Sequence, residues 1–188
     1  MTVLESKRAV RGRIRARIAA YPPQENERIG RAMCSALLKS DWYRRAGTVF
    51  SFVSLPSEPD TRLLLARALA DGKTLCVPLC RGGGVMEARA ITSLADLHPG
   101  AMGIREPDDA APRVGPESID LCVVPCLAAT AQGARLGYGG GYYDRFLKQL
   151  SSRTAQVLLC RRTLVLERLP QDTWDVPVPL ILTEEGFL

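Results

Sequence analysis

The residues best equipped for chemistry lie together in Gly133-Ala134-Arg135-Leu136-Gly137-Tyr138-Gly139-Gly140-Gly141-Tyr142-Tyr143-Asp144-Arg145-Phe146-Leu147. Four glycines fill five positions between Gly137 and Gly141. Such a run lets the backbone approach a ligand closely and turn successive N–H groups toward an anion. A helix expected to begin near Tyr142 directs its positive end at the same place. Arg135 adds a planar, permanently charged fork suited to phosphate oxygens. Asp144, in the first helical turn, can bind Mg²⁺ through one carboxylate while nucleotide oxygens supply further ligands. Interleaved Leu136, Tyr138, Tyr142, Tyr143 and Phe146 argue against a loose surface linker. The chemistry indicated is use of Mg-ATP.

Two other segments imitate nucleotide motifs and fail. Asp71-Gly72-Lys73-Thr74 carries the end of a phosphate-binding loop but lacks the earlier glycine and leads into a strand, so it reads as a turn. Gly137-Tyr138-Gly139-Gly140-Gly141 falls short of the dinucleotide fingerprint because Tyr142 stands where glycine is required. NAD is therefore not expected. The six cysteines, at 34, 76, 80, 122, 126 and 160, include two C-x-x-x-C spacings and no C-x-x-C, and His98 is the one histidine, so a zinc site is not expected either.

The elements that must position the glycine run follow from periodicity. Residues 3–19 read as a basic amphipathic helix with Leu4, Val10, Ile14 and Ile18 apolar, stopped by Tyr21-Pro22-Pro23. A second helix, 24–39, sets Ile29, Met33, Ala36 and Leu37 on one stripe. Thr48 to Val53 is a strand by its β-branched and aromatic residues. Asp60 or Thr61 caps a helix reaching Ala70. Strands follow at 74–79 and 86–91, joined through Arg81-Gly82-Gly83-Gly84. Residues 94–118 read as an irregular surface connection. Ile119 to Pro125 is continuously apolar, as a strand buried on both faces must be. A helix at 142–150 and strands at 155–159 and 180–182 complete the pattern. Alternation of strands and helices predicts one α/β domain over residues 1–188, a mostly parallel central sheet flanked by helices, with two helices at the N-terminus.

Composition is that of a globular chain: 188 residues, 46% hydrophobic and 24% charged, with net charge +5. The charge is uneven, since residues 1–45 hold eleven Lys and Arg against four Asp and Glu. A basic end suits a polyanion such as nucleic acid, nucleotide phosphates or a polyglutamate tail, or is simply the solvated face of two helices. No apolar run reaches the length of a membrane span, and no apolar leader is seen. A reducing cytoplasm is the expected location.

The run Arg-Leu-Gly-x-Gly-Gly-Gly-Tyr-Tyr-Asp-Arg resembles the signature of the 5-formyltetrahydrofolate cyclo-ligase family, also called methenyltetrahydrofolate synthetases. The resemblance extends over nearly the whole chain. Lys7-Arg8-Ala9-Val10-Arg11 resembles the family's N-terminal Lys-x-x-x-Arg, and its i, i+4 spacing puts both cations on one helix face. Leu55-Pro56-Ser57-Glu58-Pro59-Asp60-Thr61 resembles the loop whose glutamate holds the folate. Gly103-Ile104-Arg105-Glu106-Pro107 and Trp174-Asp175-Val176-Pro177 resemble two further segments. Departures fall at Ala128-Ala129-Thr130, where the family usually has Ala-Phe-Asp, at Cys126 for glycine, at Trp174 for histidine and at Met102 for an aromatic residue. No local carboxylate is therefore expected to pair with Arg135.

The resemblance implies ATP- and Mg²⁺-dependent closure of 5-formyltetrahydrofolate to 5,10-methenyltetrahydrofolate through an iminium phosphate, with release of ADP and phosphate. It implies ATP contact by Lys7, Arg8 and Arg11, and by Arg135, Leu136, Gly137, Tyr138, Gly139, Gly140, Gly141, Tyr142 and Tyr143. Folate contact would fall to Val53, Glu58, Met102 and Tyr142, metal binding to Asp144 and Asp175, and catalytic roles to Arg135 and Tyr142. Tyr143 is equally suited to core packing. The partner expected is a small folate, with no nucleic acid or membrane, and a monomer is the family's default. Two alternatives stay open: an ATP-using relative acting on another pterin or formylated compound, and a non-catalytic folate- or RNA-binding module, which would have no use for Asp144 as a metal ligand.

Overall fold

The computed structural model describes residues 3–100 and 103–188. In chain order these form α1 (Val3–Ala19), α2 (Pro23–Leu38), α3 (Asp41–Arg45), β1 (Thr48–Ser51), α4 (Arg62–Ala70), β2 (Thr74–Gly82), β3 (Val85–Ile91), β4 (Leu97–Pro99), β5 (Arg105–Pro107), β6 (Arg113–Val114), β7 (Leu121–Pro125), β8 (Ala128–Ala129), β9 (Arg135–Leu136), α5 (Tyr142–Leu147), β10 (Ala155–Leu159), β11 (Leu180–Thr183) and β12 (Gly186–Phe187). An eight-stranded sheet runs β12-β11-β10-β7-β1-β2-β3-β6. Its inner five strands are parallel, while β3, β6 and β12 pair antiparallel toward the edges. The expected mostly parallel α/β sheet is thus present. Among the described residues no helix is long and apolar enough to cross a membrane.

Side-chain alternation sends the central strands' residues to two separate cores. Val49, Leu121, Val123 and Val157 face α2 and α4, where they pack with Ile29, Met33, Leu64 and Leu65. Phe50, Cys122, Val124 and Leu158 face the other way, toward Ile14 and Ile18 of α1 and Phe146 of α5. A strand with both faces covered must be apolar at every position, which explains why all five residues of β7 are buried. Phe50 stacks on Phe146 at 4.7 Å between ring centroids and meets Tyr143 edge-on at 6.4 Å. Burying such a ring stabilises by roughly 1.5–3 kcal/mol, and here it fixes α5, with Asp144, over the end of β1.

The structure corrects several expectations. Residues 94–118 are not irregular throughout: β4 pairs with β5, and β6 extends the main sheet beside β3. Strands of two or three residues carry no readable alternation. The helix at 142–150 ends at Leu147, followed by a turn. Thr61 precedes α4, but its hydroxyl donates to Phe52 O at 3.0 Å, and Asp60 Oδ1 receives the Arg62 N–H at 2.8 Å.

The loop between β1 and α4 is closed on itself and pinned to α2. Ser54 and Thr61 exchange hydrogen bonds at 3.3 and 3.2 Å, and Asn26 Nδ2 donates to Pro56 O at 2.6 Å. Gly30 makes the close approach possible, because a Cβ there would lie 2.2 Å from Asp60 N and 2.4 Å from Asp60 O. Gly30→Ala should therefore lower stability by about 1–3 kcal/mol despite alanine's better helix propensity. Denaturant unfolding would show it as a lower midpoint with an unchanged slope.

Candidate active site

A cavity of about 950 Å³ opens at the head of the sheet, beyond the ends of β1 and β7. In parallel sheets this is where connecting loops diverge and leave room for a ligand. It is lined by α1, the loop after β1, parts of β2 and β3, Ile104, the end of β7, the glycine run leading into α5, and the 172–175 turn. The structure brings together Lys7, Arg11, Val53, Glu58, Asp144, Asp175 and the whole run from Arg135 to Tyr143. Arg8 is not among them. The helical rotation that turns Lys7, Arg11 and Arg15 to the cavity leaves Arg8 in solvent. Met102 lies outside the described residues.

The glycine run is held by its carbonyls. Arg11 Nε donates to Gly137 O at 2.9 Å and Arg15 Nη2 to Tyr138 O at 3.4 Å. Among the described residues the N–H groups of Gly137 through Gly141 find no acceptor. Gly139 and Gly141 sit at φ of 112° and 70°, conformations that side chains resist. Gly137 matters for a different reason: a Cβ there would lie 2.8 Å from Arg135 Nη1. Glycine at that point leaves space for the guanidinium. Such a strand of open amides beside cations is chemically suited to phosphate oxygens.

Charged groups on the cavity wall are paired in ways the sequence reading keeps apart. Arg135, whose side chain is 4% exposed, donates through Nη2 to Asp144 Oδ1 at 2.6 Å. The expectation that no nearby carboxylate serves Arg135 is corrected by this pair. Val176 N–H also donates to Asp144 Oδ1, at 3.2 Å, tying the late loop to α5. Arg135 Nε has no partner among the described residues, and its guanidinium lies 5.9 Å from the Tyr143 ring. Lys7 Nζ meets Asp175 at 2.6 Å and Asp172 at 2.9 Å. Asp172 is a cavity residue the sequence reading misses, although it stands only three positions before Asp175. The Tyr143 ring packs against Phe50, the core-packing role, and its hydroxyl is buried beside the cavity without a partner among the described residues.

Across the cavity, Glu58 is 6% exposed and accepts the Leu55 N–H at 2.8 Å. Burial pushes its carboxyl above the usual carboxylate range, opposed by hydrogen bonds from Leu55 and Tyr138 and by the charge of Arg161. Burial and then Glu58 itself push the Tyr138 hydroxyl upward in turn. Cys80 also lines the cavity, but burial and a bond to Glu106 push its thiol up to about 12. A thiol so reluctant to ionise is no nucleophile at neutral pH. The site is thus built to bind, orient and neutralise charge.

Residues 3–184 match the model of the 5-formyltetrahydrofolate cyclo-ligase family. The 5-formyltetrahydrofolate cyclo-ligase of Escherichia coli (strain K12) is 29% identical over 174 residues, covering 90% of this chain and 96% of that protein. The NMR structure of Aquifex aeolicus 5,10-methenyltetrahydrofolate synthetase superposes with a TM-score of 0.85 at 31% identity, over 96% of this chain and 91% of that one. A 5,10-methenyltetrahydrofolate synthetase from Mycoplasma pneumoniae shares the fold at a TM-score of 0.75 and 20% identity, over 95% and 99% of the two chains.

The raised Glu58 carboxyl sets a pH dependence. A carboxyl whose folded pKa exceeds its unfolded value contributes stability that is complete below the unfolded pKa and is lost as pH rises through the folded one. Glu58→Gln removes that loss. As pH rises above the ordinary carboxylate range, the stability of the native protein should fall relative to Glu58→Gln, as urea unfolding at each pH would read.

Proposed function

The chain belongs to the 5-formyltetrahydrofolate cyclo-ligase family, and from that premise we propose that it closes 5-formyltetrahydrofolate to 5,10-methenyltetrahydrofolate at the expense of ATP. The observation that carries this reading is the run of acceptor-less amides, Gly137 to Gly141, in one cavity with two cation–carboxylate pairs. A formamide oxygen is a poor leaving group. Transferring the γ-phosphoryl group to it, with loss of ADP, gives an iminium phosphate. N10 then bonds to that carbon, the C–O bond breaks, phosphate departs, and N10 loses its proton.

Phosphoryl transfer of this kind needs in-line positioning and charge neutralisation more than a covalent nucleophile. The amides of the glycine run would hold the phosphates, with Lys7, Arg11 and Arg135 meeting their charge. Asp144 and Asp175 would hold Mg²⁺, which supplies further neutralisation of the phosphate oxygens. Asp144 suits this, since its hydrogen bonds all fall on Oδ1 and Oδ2 has no partner among the described residues. Each carboxylate would then exchange its present cation for the metal, and each cation its carboxylate for phosphate. Glu58 would accept pterin N–H donors from the opposite wall, with Val53 beside it. Tyr142 would lie between the formyl group and the phosphates.

Purified protein mixed with Mg-ATP and 5-formyltetrahydrofolate should develop the near-ultraviolet absorbance of the methenyl product, and well-folded protein that gives none would refute the proposal. In Asp144→Asn the amide can still accept from Arg135 and Val176 N–H. That variant should keep its thermal midpoint within a few degrees while kcat falls about a hundredfold or more.

A further inference from the structure

The end of β10 delivers an arginine into the interior, beside the loop that carries Glu58. Arg161 is 2% exposed. Its Nη2 donates to Asn26 Oδ1 of α2 and, at 2.7 Å, to the carbonyl of Ser57. Neither contact brings a negative charge. Tyr21 covers the guanidinium from one side, 5.4 Å from the ring centroid, and Nε has no partner among the described residues. A cation taken out of water on neutral oxygens alone is costly, so a nearby anion must share its field.

Two acids share its field, Glu25 of α2 and Glu58; Glu25 is already paired with Arg28, and Glu58 is the buried one. Asn26 binds Pro56 O through Nδ2 at 2.6 Å and Arg161 through Oδ1, while Arg161 binds Ser57 O. Two consecutive carbonyls are thereby clamped immediately before Glu58. The groups that face its carboxyl are the Leu55 N–H, the Tyr138 hydroxyl from the glycine run, Tyr143, Cys126 and Arg161. Of these, Arg161 alone is a permanent cation.

We propose that Arg161 is a positioning residue of the pterin subsite, holding the 56–58 turn in place and keeping Glu58 an anion that can accept from two N–H donors at once. A protonated carboxyl would turn one acceptor into a donor and oppose a pterin's 2-amino and N3 hydrogens. The inference rests on the folate reading of Glu58 given above and adds to it a residue at the end of β10 and its role.

Two variants separate charge from hydrogen bonding. Arg161→Gln keeps a donor for Asn26 and Ser57 but removes the cation, and Arg161→Lys keeps the cation. In R161Q the KM for 5-formyltetrahydrofolate should rise about tenfold near neutral pH, recovering at higher pH, with kcat held within about twofold. R161K should restore both KM and the wild-type pH profile. An unchanged KM, an increase independent of pH, or rescue by Gln and not by Lys would overturn the proposal.

A second arm needs no substrate. Urea unfolding of wild type, R161Q, E58Q and the double variant forms a cycle that reads the Arg161–Glu58 coupling directly. Replacing Arg161 should destabilise more when Glu58 is present than in E58Q at about pH 8, and the gap should close near about pH 4. Equal costs in both backgrounds at both pH values would sink the coupling. A wild type that couples in this cycle yet forms no methenyl product would instead refute the folate reading.

Discussion

Charge removed from water has to be compensated, and that constraint organises the head of this sheet. Lys7, Glu58, Arg135 and Arg161 are all less than a tenth exposed. Lys7 meets the 172–175 turn and Arg161 hydrogen-bonds α2 and the loop after β1, both far along the chain, while Arg135 meets Asp144 nine residues on. A buried ion losing its partner outright, hydrogen bonds as well as charge, would destabilise by about 3–5 kcal/mol. The same contacts therefore tie α1 to the 172–175 turn, Arg135 to α5, and the end of β10 to α2 and the loop after β1.

The sheet supplies the rigid base for that wall. Apolar strands β1, β7 and β10, filled on both faces, hold their ends in fixed register, so the loops leaving them start from defined points. Arg11 and Arg15 of α1 grip the carbonyls of the glycine run, whose amides find no acceptor among the described residues. Phe50 and Phe146 set the angle at which α5 presents Asp144. Binding, orientation and neutralisation are spread over the cavity, and the thiol within it is kept protonated. That division of labour matches phosphoryl transfer better than covalent catalysis.

Most of the fold was legible in the sequence because its signals are local. Alternation and apolar runs mark β1, β2, β3, β7, β10 and β11, and helical stripes mark α1, α2 and α4. The two-residue strands β8, β9 and β12 carry no such signal and exist only through their partners. Short α3 was missed for the same reason, though Ser40 caps it by accepting the Tyr43 N–H at 3.2 Å. At the site, glycine spacing exposed the anion cradle, and i, i+4 spacing correctly turned Lys7 and Arg11 to one face. That spacing also excludes Arg8 from the face, which is where the structure leaves it.

Residue type and short-range spacing determined on their own that the chain forms an α/β sheet with a glycine-lined cradle, because φ preference and periodicity act within a few residues. Which cation meets which carboxylate was decided only by the tertiary structure. Lys7 and Asp175 stand 168 residues apart, and Arg161 lies 104 from Ser57. Nothing local selects such partners; the sheet brings them together, and the cost of leaving a charge dry makes them pair.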